Sequence, residues 1–236
     1  KQARAVVCQA HLRQLGQLAA TYACDSPTQA IGFSSLFMRD RRFVAERLRL
    51  CPSATRPLAG DPVSWGDTFH AYALGHVDRA PPAAERQVLW YASYGWNYWT
   101  DAPQGVPGKT EAGWRTTAVK GSAQIPAFFD STCVGSQPHH LDTPRPHEHL
   151  CQAYELHGQT LAPTLPPDFG MTRVCLNRHA AAVNAAFLDG SVRKVGLKEL
   201  WALQWHPEFD TTGPWTRAGG VQPDDWPQWM RKFKDY

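Results

Sequence analysis

Charge of one sign is what this chain most plainly lacks: 24 Lys and Arg against 21 Asp and Glu leave a formal net charge of +3. So small a surplus gives no electrostatic footprint for nucleic acid, and no nucleic-acid partner is expected. No run of about 18 apolar residues occurs, so the sequence contains no membrane-spanning helix. The Cys-x-x-Cys spacing of zinc ribbons and thioredoxin-like sites is missing. Ser191 stands close to Asp189, yet no Gly-x-Ser-x-Gly elbow surrounds it, which argues against a hydrolase nucleophile there. There is no internal repeat, and the chain starts at Lys1 without a signal peptide, so a segment upstream is expected.

What is present suits a folded extracytoplasmic protein. At 236 residues, 43% hydrophobic and 19% charged, the chain can bury a core in one large domain or two small ones. Nineteen Pro and 18 Gly predict long ordered loops rather than a helical bundle. Ten Trp imply a large aromatic core or, alternatively, exposed surfaces on which sugars or partners stack. Six widely spaced cysteines (8, 24, 51, 133, 151 and 175) fit disulfides formed in an oxidising compartment. Six allow about 15 full pairings, so spacing alone does not choose among them.

In "KQARAVVCQAHLRQLGQLAATYACD", Ala5, Cys8, Leu12, Leu15, Ala19 and Tyr22 step by three or four, which predicts an amphipathic helix ending near Asp25-Ser26-Pro27. No capping residue precedes the apolar stripe, so the expectation is a longer helix cut on its N-terminal side. "SSLFMRDRRFVAERLRL" predicts a second helix, broken at Cys51-Pro52. "RQVLWYASYGWNYW" reads as a strand, "AQIPAFFDST" as a short strand ending at Asp130, and residues 134–170 as an irregular insertion. "LKELWALQW" predicts a short helix ahead of an aromatic, basic tail.

The strongest hairpin signal is "RHAAAVNAAFLDGSVRKV", where Asp189-Gly190 can supply the two positive-φ positions of a type I′ turn. Ten residue steps separate His179 from Asp189, a reach of up to about 33 Å when extended. A straight strand between them holds them apart, so a catalytic dyad or shared metal ion is disfavoured. The expectation is two structural roles: Asp189 and Gly190 set the turn, and His179 braces the start of the strand by hydrogen bonding. Four histidines, His139, His140, His147 and His149, fall within 11 residues and are candidate Zn²⁺ ligands.

Taken in order, these blocks carry a resemblance. "ARAVVCQAHLRQLGQLAATYA", "LCPSA", "SYGWN", "IPAFFDS", "RHAAAVNAAFLDGSVRKV" and the Trp-rich ending together resemble the pilin-like, pseudopilin-type proteins with a C-terminal His-(nine residues)-Asp-Gly motif, associated with prepilin-type processing. The chain departs from that family in having Ala180-Ala181 where the family often has Gly-Gly after the motif His. Residues 134–170 match no block of it.

The resemblance implies an α+β, type IV pilin-like fold: a long N-terminal helix packed on an antiparallel β-sheet with long irregular loops. Residues 1–25 would be the C-terminal half of the pilin-type helix, and residues 26–236 one globular domain. A missing apolar segment would anchor the subunit in the inner membrane before assembly and then form the filament core. The implied partners are further copies of the chain and other pilin-like subunits, at the cell surface or in an extracellular filament. A Cys8–Cys51 disulfide is expected to staple helix to domain, the alternative being that Cys8 is a small buried thiol. Some pseudopilins hold a calcium in a loop, and only through that resemblance are Asp210, Asp224 and Asp225 candidates for Ca²⁺; their own spacing shows no converging oxygens. The leading expectation is therefore a non-enzymatic structural subunit of a type IV pilus-like or type II secretion-like filament. Two alternatives are a surface carbohydrate-binding protein using Trp of "YGWNYW" or "WPQWM", and an extracytoplasmic metal-dependent hydrolase.

Overall fold

A computed structural model of the chain describes residues 2–25, 46–57, 66–75, 88–100, 112–148 and 170–236. The fold is α+β. Helix α1 (Gln2–Asp25) lies across a five-stranded sheet, and a two-stranded sheet stands beside it. The small sheet pairs β1 (Tyr72–Gly75) with β2 (Val88–Ala92) in antiparallel register. The large sheet contains β3 (Tyr94–Asn97), β4 (Pro126–Asp130), β5 (Gly135–Ser136), β6 (Ala182–Phe187) and β7 (Val192–Gly196) in the order β5-β3-β4-β6-β7. Every pairing in it is antiparallel except β3 with β5, which is parallel.

α1 forms where the 3.6-residue stripe predicts it. Cys8, Leu12, Leu15 and Ala19 are buried against Tyr94, Trp96, Phe128 and Ala186. Each Leu removed from water contributes about 1.5–3 kcal/mol. The helix is also pinned by polar groups: Gln9 Nε2 donates to Asn184 Oδ1 at 3.0 Å, and Asn184 Nδ2 donates to the Ala5 carbonyl at 3.3 Å. Tyr22 and Cys24 fall where side chains lie outside the described residues.

The opposite face of the sheet is covered too. Phe129, Val183, Ala185 and Phe187 pack on Trp99, Trp201, Trp205 and Trp226, most of which come from the C-terminal segment. With cover on both sides, β4 and β6 are buried at every position. That is why "IPAFF" reads as a continuous apolar run, and "VNAAF" as one broken only by Asn184, rather than as alternating patterns.

Several expected elements take a different form. The run at 86–99 is two strands in two different sheets, broken at Ser93, followed by a 3₁₀ turn at Tyr98–Thr100. The predicted second helix appears only as a 3₁₀ turn at Glu46–Arg49, its earlier residues lying outside the described ones. "LKELW" forms a 3₁₀ turn at Lys198–Ala202. The insertion is irregular over 137–148 but opens with β5, and residues 149–169 lie outside the description.

The hairpin forms, with a different turn. Only Gly190 has a positive φ (+81°), whereas a type I′ turn would need one at Asp189 as well. The Gly190 N–H donates to the Phe187 carbonyl at 2.9 Å, and the Phe187 N–H donates to the Ser191 carbonyl at 2.9 Å. This is a three-residue loop: a type I turn closed by a left-handed glycine. Asp189 Oδ1 accepts from the Ser191 N–H at 2.9 Å and its hydroxyl at 2.6 Å, a local cap that favours the right-handed turn at Asp189.

Candidate functional site

The site begins with an acid in an apolar strand. Asp130 ends β4 on the same sheet face as Phe128, so its carboxylate points toward α1 and is fully buried. A carboxylate in that position persists only if paired and hydrogen-bonded. Arg178 Nη1 donates to Asp130 Oδ1 at 3.0 Å. The Asn184 backbone N–H donates to Oδ2 at 2.8 Å, and His179 Nε2 lies 3.2 Å from Oδ2.

Arg178 spends every donor of its guanidinium. Nε donates to the Thr68 carbonyl at 3.0 Å, and Nη1 also donates to the Ser93 carbonyl at 2.6 Å. Nη2 donates to the carbonyls of Asp67 at 2.8 Å and Ser131 at 3.3 Å. The five N–H groups of an arginine are thereby matched to acceptors on two separate segments of chain, at 67–68 and 93, and at the end of β4.

A strained turn delivers Arg178 and His179 to this point. Ala180 and Ala181 have φ of 53° and 61°, in the left-handed region, which costs an alanine about 1–2 kcal/mol each. The turn is held by Asn177 Oδ1, which accepts from the Ala181 N–H at 2.6 Å, and by the His179 N–H, which donates to the Ala182 carbonyl at 2.9 Å. These are the two positions where the resembling family often carries Gly-Gly. The tight turn exists here without glycine.

Two sulfurs complete the cluster. Cys8, from α1, sits with Sγ 3.8 Å from both Asp130 oxygens, and Cys51 Sγ lies 3.4 Å from His179 Nε2. One ligand atom from each of Cys8, Cys51, Asp130 and His179 falls within 4.8 Å of all the others, and all four residues are buried. Cys8, Cys51, Cys133 and Cys175 are free thiols, while Cys24 and Cys151 lie beyond the described side chains. The expected Cys8–Cys51 pair is therefore brought side by side and left unjoined.

The charges in the cluster support one another. Burial alone would raise the Asp130 carboxyl, but His179 and Arg178 outweigh it and hold it down at about 2. Burial disfavours a charged His179, yet the Asp130 carboxylate and the Cys51 sulfur raise it to about 9. A hydrogen bond from Cys8 lowers the Cys51 thiol to about 6 against its burial. Burial, reinforced by Cys51 and Asp130, pushes the Cys8 thiol far up. Cys8, Cys51 and Asp130 are fully buried and His179 is only 6% exposed, so these atoms are closed to a substrate in this conformation.

The sequence-derived candidates divide in an instructive way. His179 contacts Asp130 and Cys51 at the start of β6, while Asp189 and Gly190 sit at the hairpin tip and, among the described residues, bond within their own turn. His139 and His140 gather with His206, not with His147, which is exposed; His149 lies outside the described residues. Asp210 caps the turn at Thr212, Asp225 caps the turn begun by Gln222, and Asp224 pairs with Arg231 at 3.1 Å, so each carboxylate is used locally. Trp96, Trp99 and Trp226 of the proposed stacking motifs are buried, and Trp229 is half-buried. A concavity of about 300 Å³ lies by Ala181, Lys194, Glu199, Phe233 and Tyr236.

No family model, curated protein or solved structure matches the chain. The residues that sequence reasoning missed are Asp130 and Arg178. Their signals were an acid after Phe-Phe in an apolar strand and a cation beside the motif His; neither signal names the other.

Proposed function

We propose that this protein is a structural subunit of a type IV pilus-like or pseudopilin-type filament, acting outside the cytoplasm through contacts with further copies of itself and with related subunits. The observation that carries this reading is the division of labour on α1. One stripe, Cys8 to Ala19, is consumed by the subunit's own sheet, while Val6 and Val7 stand 64% and 44% exposed on the other side of the helix. Apolar residues on the outward side of a docked helix are what neighbouring subunits need in order to pack helix against helix. Repetition of such a contact by one rotation and rise gives a helical polymer rather than a closed ring. The enclosed Arg178–Asp130–His179 cluster fits a structural role, since it fastens α1, two loops and β4 into one body.

The reading also requires an apolar stretch continuing α1 in the encoded protein, to hold the subunit in the membrane before assembly. Among the described residues no helix is long and apolar enough to cross a membrane. The test is imaging of the native assembly made by the full-length processed protein. Filaments with a central bundle of parallel helices are expected. A closed ring, or a monomer with enzymatic turnover and no helical order, would overturn the proposal.

A further inference from the structure

We propose that Cys8, Cys51, Asp130 and His179 form a structural zinc site that locks α1 onto the sheet. The inference is independent of the filament reading and stands on four features of the cluster.

The first is convergence. The donors come from α1, the segment after the 3₁₀ turn at 46–49, the end of β4 and the turn before β6, one ligand atom each, all within 4.8 Å of one another. Side chains that had only to fill space would not bring four ligands of three types from four remote segments to one point.

The second is size. Zinc bonds of about 2.3 Å to sulfur and about 2.0–2.1 Å to nitrogen or oxygen define a tetrahedron with edges of about 3.3–3.8 Å. Three of the six edges here are 3.2 Å from His179 Nε2 to Asp130 Oδ2, 3.4 Å from Cys51 Sγ to His179 Nε2, and 3.8 Å from Cys8 Sγ to Asp130, and the other three lie within 4.8 Å. An ion could enter with side-chain shifts of no more than about 1 Å on any edge.

The third is donor chemistry. Two sulfurs, an imidazole and a carboxylate suit Zn²⁺, whereas Ca²⁺ requires a shell of oxygens. The fourth is charge. Two thiolates, a carboxylate and Zn²⁺ sum to −1, and Arg178, bonded to the carboxylate's other oxygen at 3.0 Å, brings the buried assembly to zero. Arg178 and the Asn184 N–H also fix the carboxylate's orientation from outside, as outer partners of metal ligands do. Four protein ligands leave no open position, so the site is structural rather than catalytic.

Metal held in this way competes directly with a Cys8–Cys51 disulfide, which needs the sulfurs about 2.05 Å apart and removes both thiolates. The test starts from wild-type protein purified under reducing conditions, stripped with a chelator and titrated with Zn²⁺ and Co²⁺. One metal per chain is expected, together with thiolate-to-cobalt charge transfer and the intense d–d bands of a tetrahedral ion. Cys8→Ser and Cys51→Ser should each weaken zinc binding by more than about 100-fold, beyond the effect of losing an outer partner. Cys133→Ser and His140→Ala should leave binding unchanged. Should the ligand variants fail to fold, the wild-type cobalt spectrum and its persistence in Cys133→Ser carry the decision. Three outcomes overturn the proposal: no uptake or no thiolate charge transfer in the wild type, uptake indifferent to Cys8 and Cys51, or native protein isolated metal-free with those cysteines joined.

Discussion

The two faces of the large sheet are held by opposite means. On the α1 side the cover is regular and the residues are small or aliphatic, and a fully paired polar cluster sits in the middle. On the other side the cover, among the described residues, is made of 3₁₀ turns and extended chain, yet it is dense with Trp. The indoles there do two jobs. Their rings fill volume, and four of their N–H groups donate to backbone carbonyls: Trp99 to Pro138, Trp201 to Asp142, Trp205 to Leu200 and Trp229 to Arg145, at 2.7–3.1 Å. A helix supplies its own backbone hydrogen bonds and can use a plain apolar stripe; irregular chain needs side chains that bring donors with them.

Breaking each face at its centre tests that contrast. Arg178→Met should have the largest effect, a loss of about 3–5 kcal/mol, because it strands the buried Asp130 carboxylate; denaturant unfolding at neutral pH measures it. Trp205→Ala should cost about 3–5 kcal/mol by opening a cavity and stranding the carbonyl of Leu200. Its signature should differ: near-UV circular dichroism of the aromatic face should collapse while the far-UV helix signal of α1 persists. A parallel loss of both signals would show that the faces do not behave as distinct units.

Smaller changes sharpen the comparison at the two turns that flank β6, a strand both faces share. Gly190→Val should destabilise by more than about 1 kcal/mol, since a β-branched residue is penalised at positive φ. Nothing lies within 4 Å of a Cβ at this position, so the loss is conformational rather than steric crowding. Ala180→Gly should move the other way and raise stability by about 0.5–1 kcal/mol, because the exposed methyl is held in the left-handed region. A shift in midpoint below the wild type for Ala180→Gly would mean that the turn is not strained.

How far the sequence could be read follows the same division. The α1 stripe was legible because a period of 3.6 is a local property, and Cys8, Leu12, Leu15 and Ala19 are buried as that period requires. The β6–β7 hairpin and the end of β4 at Asp130 were legible through turn residues and β-branched or aromatic runs. The split at Ser93 was not, because a strand that changes sheets keeps the same residue types on both sides of the break. The partnership of Asp130 with Arg178 and His179 was hidden for another reason: it joins positions 48 and 49 residues apart, and no local pattern encodes the match. The turn at Ala180-Ala181 defied composition outright, since tertiary bonds hold two alanines where glycine would be the local choice.

The guanidinium of Arg178 has a consequence for time as well as for stability. Its acceptors at Asp67, Thr68 and Ser93 lie 85–111 positions away along the chain. Contacts spanning such loops close after the local ones, when most of the chain entropy has already been lost. Interactions absent from the folding transition state leave the refolding rate nearly untouched and act on the rate of escape from the native state. A protein fastened in this way would owe its lifetime in the folded state to this one side chain more than its equilibrium stability suggests.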